Sequence, residues 1–245
     1  MSEPLSPCLL PIQNAGYDEE TAQVMKRVLR PDSCCIDVGA HEGIILKDMI
    51  RLAPAGIHFA FEPLPHLANQ LRNRFANVRV HEAAVSDQAG AAMFIHVEND
   101  PGYSGLRERI YDRPDPVLRE ISVNVVRLDD VIPVEVSIGF IKIDIEGAEY
   151  HALLGAEQTI QRGRPVIVFE AGAKSTGQYG VTPVELFRLL TEQFGYHLST
   201  MCRWLAGVTP YSETEFCLNW SNGPDFFFLA YPAGKDSLSK LESLL

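Results

Sequence analysis

Two rhythms of apolar and polar positions alternate along the chain. Short apolar runs at 33–36, 57–61, 78–84, 139–143 and 166–170 read as strands, four of them closing on an acid. Between them apolar residues recur at helical spacing, at 44–52, at 64–76 through Leu67, Leu71 and Phe75, at 151–161 and at 183–194. Thr182 reads as the cap of the last helix, Pro183 as its first residue and Glu185 as an early-turn acid. Strands and helices in this order predict an α/β fold, a Rossmann-like doubly wound and mostly parallel sheet. The rhythm changes near the end, where 196–201 and 226–231 read as strands with no long helix between them, so an antiparallel C-terminal strand is expected.

Three stretches sit outside that rhythm. Residues 1–32 read as an N-terminal arm and an amphipathic helix at 18–29, preceding a single domain at 33–245. Strands at 89–96 and 121–128 flank a polar, Gly- and Pro-rich excursion at 98–120. An excursion of that size is either a surface insertion or a lid over a substrate.

The candidate chemistry lies where apolar runs end. The first strand passes into Asp37-Val38-Gly39-Ala40-His41-Glu42-Gly43, a glycine turn that opens a helix. In open parallel sheets ligands sit outside such strand ends. A dinucleotide fingerprint needs a third glycine, and an acidic turn suits a cationic ligand better than a pyrophosphate. S-adenosylmethionine, with an ammonium and a sulfonium, fits the turn. Glu62 ends the second strand roughly 20 residues on, the place where such folds bind ribose hydroxyls. Ser86 and Asp87 at the third strand end could meet an adenine edge, although both are ordinary turn residues.

The fourth strand closes on Asp144, with Glu146 and Glu149 behind it, and the fifth on Glu170. Three readings of that acid cluster stand open. It could bind a hard cation, hold a general base and its orienter, or complement a helix dipole. No zinc or EF-hand spacing occurs, and no metal is expected. Asp144, Glu146, Glu170 and His96, which borders the excursion, are the candidate catalytic residues.

Composition narrows the partners. Net charge is −11, from 21 basic and 32 acidic residues, with no basic block, so nucleic acid is a poor partner. No apolar run is long enough to span a membrane, and residues 1–13 carry no signal-sequence pattern. The expectation is a cytoplasmic protein acting on a small-molecule or glycan-type acceptor, with a homo-oligomer left open. Five cysteines include the adjacent Cys34 and Cys35, which point to opposite faces of a strand, and reduced core thiols are expected.

The motifs Ile36-Asp-Val-Gly-Ala-His-Glu-Gly43, Phe61-Glu-Pro63, Ala83-Ala-Val-Ser-Asp87, Phe140-Ile-Lys-Ile-Asp-Ile-Glu-Gly-Ala-Glu149 and Pro165-Val-Ile-Val-Phe-Glu170 resemble those of the FkbM-type methyltransferases, in order and spacing. The resemblance covers about 33–172 and implies the class I methyltransferase fold, seven-stranded with its last strand antiparallel. It implies O-methylation from S-adenosylmethionine, commonly of a sugar or natural-product hydroxyl. Carried over by position, Asp37, Gly39 and Gly43 would surround the methionine part, Glu62 the ribose, and Ser86 with Asp87 the adenine. Asp144 would also face the cofactor, and His41 stands where Asn is frequent. A nicotinamide-dependent oxidoreductase and a non-catalytic cofactor-binding module are the alternatives on such a fold.

Overall fold

The computed structural model describes residues 14–111, 114–222 and 225–233. The chain enters through α1 (Asn14–Val28) and lays down β1 (Cys34–Val38), α2 (Ile44–Leu52), β2 (His58–Phe61), α3 (Pro65–Arg74) and β3 (Val78–His81). These three strands pair in parallel. The predicted strand at 78–84 then divides. Its end, β4 (Ala84–Val85), leaves β2 and pairs with Val125 and Val126 of β6 (Leu118–Val126), which is antiparallel to β5 (Gly90–Val97). The division has a packing cause: Ala84 shares a small separate core with Leu64, Leu67, Phe94, Val123 and Val125.

After the short α4 (Leu128–Val131), β7 (Ile138–Ile143) returns to the middle of the main sheet, beside β1. The predicted helix at 151–161 is broken into α5 (Glu149–Leu154) and α6 (Glu157–Gly163) at Gly155. A Cβ at Gly155 would stand 2.1 Å from the Ser86 carbonyl, so the close approach of that loop needs glycine there. β8 (Val166–Glu170) follows, then α7 (Pro183–Arg188), whose Thr182 and Glu185 form a reciprocal capping box. A π-helical turn at Leu189–Gln193 completes the predicted helix.

The sheet closes with β9 (Tyr196–Ser199), α8 (Met201–Leu205), α9 (Glu213–Asn222) and β10 (Phe227–Pro232), in the order β3-β2-β1-β7-β8-β10-β9. β10 is antiparallel to both neighbours, as expected of the last strand. A helix of three turns between β9 and β10 was not expected; α9 brings Phe216 and Trp220 onto the sheet.

Central strands are buried on both faces, which is why their sequences read as continuous apolar runs. Ile36, Val38, Ile141, Ile143, Ile167 and Phe169 enter one core with α4 to α7 and α9. Cys35, Phe140 and Val168 enter the other, with Tyr17, Val24 and Met25 of α1, Leu46 and Met49 of α2, and Met201 and Trp204 of α8. Thus α1 packs on the sheet together with α2 and α8, and the arm expected before it, up to residue 13, lies outside the described residues. Cys34, Cys35 and Cys217 are free thiols, but Cys202 is disulfide-bonded, which corrects the expectation of reduced cysteines at that position. No helix among the described residues is long and apolar enough to cross a membrane.

Candidate functional site

The strand order reverses between β1 and β7, the point at which an open α/β sheet leaves a crevice beyond its strand ends. A cavity of about 680 Å³ occupies that crevice, a size ordinary for a small-molecule site. The backbone fixes three strand ends at one level: Asp144 N donates to Val38 O at 3.1 Å, and Gly39 N to Phe61 O at 3.0 Å. Gly39 has φ 75°, and a Cβ there would lie 1.9 Å from the Asp144 carbonyl. Only glycine lets the first turn pass this close to the fourth strand's end.

Glu62 is buried, and both its oxygens hold backbone. Oε2 accepts the His41 amide and Oε1 the Leu64 amide, each at 2.9 Å. Burial pushes its carboxyl up to about 7 against the pull of those two amides and of Lys142. Each oxygen has a second lone pair for a ligand hydroxyl. His41 pays for its place with φ 47°, in the left-handed region.

Lys142 was not anticipated. It stands in register with Asp37 across the β1–β7 pair, buried, and donates to Gly39 O at 2.9 Å. Its ammonium also lies 3.3 Å from Asp144 Oδ2 and 3.7 Å from Asp37 Oδ1. Burial pushes Asp37 up to about 6, while Lys142 and the Leu46 amide pull the other way. Asp37 Oδ1 accepts no hydrogen bond among the described residues.

The acid cluster is real. Single oxygens of Asp144, Glu146 and Glu170 all lie within 4.8 Å of one another. Glu170 is buried and raised well above the ordinary carboxyl range, first by burial, then by the charges of Asp144 and Glu149. Asp144 is its neighbour there, with a carboxylate oxygen within 4.8 Å of one of Glu170. Glu146 is ion-paired with buried Arg109, which comes from the loop between β5 and β6 and also covers the Tyr103 ring at 5.3 Å. The guanidinium thus supplies positive charge where a cation could have stood. Glu149 plays a different part: fully buried, it accepts the Ile145 and Gly147 amides at 3.1 Å each and the Thr176 hydroxyl at 3.3 Å. It shapes the turn that presents its neighbours.

Of the residues singled out in the sequence, Asp37, Gly39, His41, Glu62, Asp144, Glu146 and Glu170 line the cavity. Gly43, Ser86, Asp87 and His96 do not. Gly43 starts α2 against Leu71 and Phe75. Ser86 donates to Asp87 at 3.0 Å, and Asp87 meets His151 at 3.3 Å, just behind the lining residues Ala83, Ala84 and Val85. His96 is on β5, its ring 5.8 Å from that of His66. Residues 100–104, 106 and 109 form part of the cavity wall, so the excursion expected at 98–120 reaches the site through these residues, while its last three, 118–120, belong to β6.

Two further walls come from outside the anticipated motifs. Tyr17, Asp18 and Thr21 of α1 line the cavity, as do Trp220, Ser221, Asp225, Phe226 and Phe227 at the approach to β10. Among the described residues, nine carboxylates and three basic side chains line the cavity. That donor set fits a ligand carrying ammonium and sulfonium charge and disfavours a diphosphate.

Comparison with known proteins agrees with this geometry. The chain is 27% identical to the 2-O-methyltransferase NoeI of Sinorhizobium fredii, over 58% of this chain and 65% of that protein. It is 32% identical to the 31-O-demethyl-FK506 methyltransferase FkbM of Streptomyces tacrolimicus, over 53% and 61%. The chain spans less than two thirds of the length of these curated relatives. The crystal structure of methyltransferase FkbM from Methylobacillus flagellatus superposes with a TM-score of 0.51 at 18% identity, over 89% of this chain and 50% of that one, and shares the class I methyltransferase fold. The model of the methyltransferase FkbM domain matches residues 37–198, the stretch that holds the glycine turn, Glu62 and the acid cluster, and the chain belongs to that family.

Proposed function

We propose that the protein transfers a methyl group from S-adenosylmethionine to a hydroxyl of a small-molecule or sugar-type acceptor. S-adenosylmethionine is the cofactor of the family, and the acidic lining with its glycine turn suits it. When bound, the cofactor supplies a methyl carbon made electrophilic by its sulfonium. In this reading Asp37, Gly39, His41 and Asp144 face the methionine part and Glu62 the ribose. Ala83 to Val85 border the adenine, with Ser86 and Asp87 supporting them from behind, and Gly43 sets the start of α2.

The observation that carries the proposal is the Asp144–Glu170 pair, whose carboxylate oxygens lie within 4.8 Å of each other and open into the same cavity as Glu62. Burial favours the protonated form of Glu170, which leaves its neighbour as the acceptor of a proton. An acceptor hydroxyl seated against it can give up its proton as its oxygen bonds to carbon. Arg109 pairs with Glu146 beside those two acids, and with residues 100–104 and 106 it walls the site. Two relatives are named for O-methylation, which favours oxygen as the target. The nicotinamide alternative would need a pyrophosphate to settle among nine carboxylates. The net charge of −11 opposes a polyanionic acceptor in the same way.

Incubation with S-adenosylmethionine and pools of hydroxylated acceptors tests the proposal. The expected result is an acceptor heavier by one methylene together with stoichiometric S-adenosylhomocysteine. Methylation confined to nitrogen or carbon would contradict the oxygen assignment.

A further inference from the structure

We propose that α1 completes the cofactor site and that Asp18 is the carboxylate that binds the α-ammonium of the methionine part of S-adenosylmethionine. The proposal rests on the placement of the glycine turn against that part of the cofactor. The family match begins at residue 37, so α1 lies outside it, yet Tyr17, Asp18 and Thr21 form one wall of the cavity. α1 packs on α2 and β7, the elements that carry the glycine turn's helix and Lys142. Its position is fixed by Tyr17, which is buried, edge-on to Phe226 at 4.7 Å, and accepts the Phe226 amide through its hydroxyl at 3.4 Å. The next residue, Asp18, thereby lines the cavity, where burial raises its carboxyl, Lys142 attracts the carboxylate and Asp144 repels it.

Charge and partners leave Asp18 open to a ligand. Lys142 is committed: its ammonium faces Gly39 O, Asp144 and Asp37 at 2.9, 3.3 and 3.7 Å. Asp18, Asp37 and Asp144 therefore set three carboxylates around one ammonium. Two of the three already have Lys142 at ion-pair distance, whereas Asp18 has no hydrogen-bond or ion-pair partner among the described residues. It is also exposed at the cavity wall, and so accessible to a ligand. A ligand ammonium arriving at the glycine turn finds Asp18 on α1 facing it across the cavity wall, beside the exposed Glu42 of the turn itself.

Titration calorimetry with three probes separates the possibilities: S-adenosylmethionine, S-adenosylhomocysteine, and 5′-methylthioadenosine, which keeps the nucleoside and lacks the amino-acid part. Asp18→Asn is expected to weaken the first two by about tenfold, the scale of one charge-assisted hydrogen bond, and to leave the third within about twofold. Glu19→Gln, on the exposed side of the same helix, is expected to leave all three unchanged. Unchanged affinity for the first two, or an equal loss for all three, overturns the assignment. If the wild type binds the first two and loses them on Glu62→Ala but not on Asp18→Asn, only this assignment fails. If the wild type binds none of the probes, the cofactor placement fails and takes the assignment with it.

Discussion

Lys142 and Asp37 face each other across the β1–β7 pair, Nζ to Oδ1 at 3.7 Å, and both are buried. A charged pair in a sheet centre is costly to break, because the surviving partner is left without compensation. Lys142→Met is expected to destabilise the fold by about 3–5 kcal/mol. With the ammonium gone, the Asp37 carboxyl rises above its value of about 6, so protonation relieves the loss in acid and not in base. Urea denaturation should show a larger loss at pH 8 than at pH 5. A loss below about 1 kcal/mol at both would show that the pair matters little.

Glu149 gives a pH dependence of definite sign. Burial raises it from its ordinary value of 4.5 to about 7 against three backbone amides. Because the folded state then binds the proton more tightly than the unfolded one, the group's contribution is fully present below 4.5 and is lost as pH rises through about 7. Glu149→Gln keeps an oxygen for the Ile145 and Gly147 amides and does not titrate. Its stability relative to wild type should therefore improve from pH 4.5 to pH 8, a trend read from urea midpoints at each pH. A constant difference would show that Glu149 does not titrate in that range.

The carboxyl pair predicts an ordered set of kinetic losses. Asp144→Asn removes the proposed proton acceptor and is expected to lower kcat by roughly a hundredfold or more. Glu170→Gln keeps an N–H donor toward Asp144 and should cost less. Single-turnover release of S-adenosylhomocysteine reads both, and a Glu170→Gln loss exceeding that of Asp144→Asn would reverse the roles.

Arg109 ties the β5–β6 loop to the acid cluster through Glu146 and stacks on Tyr103. Arg109→Ala is expected to speed proteolytic cleavage within 98–111 several-fold while cleavage elsewhere is unchanged. Equal cleavage in the two proteins would separate the loop's position from this ion pair.

How much of this was legible in the sequence follows from the physics of each element. Strand ends at Asp37, Glu62, Asp144 and Glu170 could be read because a doubly buried strand is an apolar run, and the first acid after it marks where the sheet meets solvent. Lys142 was passed over as a member of such a run. A lone lysine in a buried strand, two residues before an acid, was the available signal, since a buried charge must be paired. The role of α1 was hidden for another reason. Tyr17, Thr21, Val24 and Met25 share one buried helical stripe, but a stripe does not name the surface it covers. Arg109, Asp225 and the switch of β4 into a second sheet depend on contacts across long separations, which no local pattern encodes. His96 was drawn to the site by its closeness in sequence to the excursion, whereas its strand carries it onto the second sheet beside His66.

Calorimetric titration of S-adenosylmethionine into wild type and Glu62→Ala tests the central claim most directly. Glu62 joins the ends of two strands through the His41 and Leu64 amides and is the proposed ribose ligand. The account predicts one site per chain in the wild type and a loss of roughly tenfold to a hundredfold in the variant, checked for folding by circular dichroism. No binding to the wild type, or equal affinity in a folded variant, would contradict it.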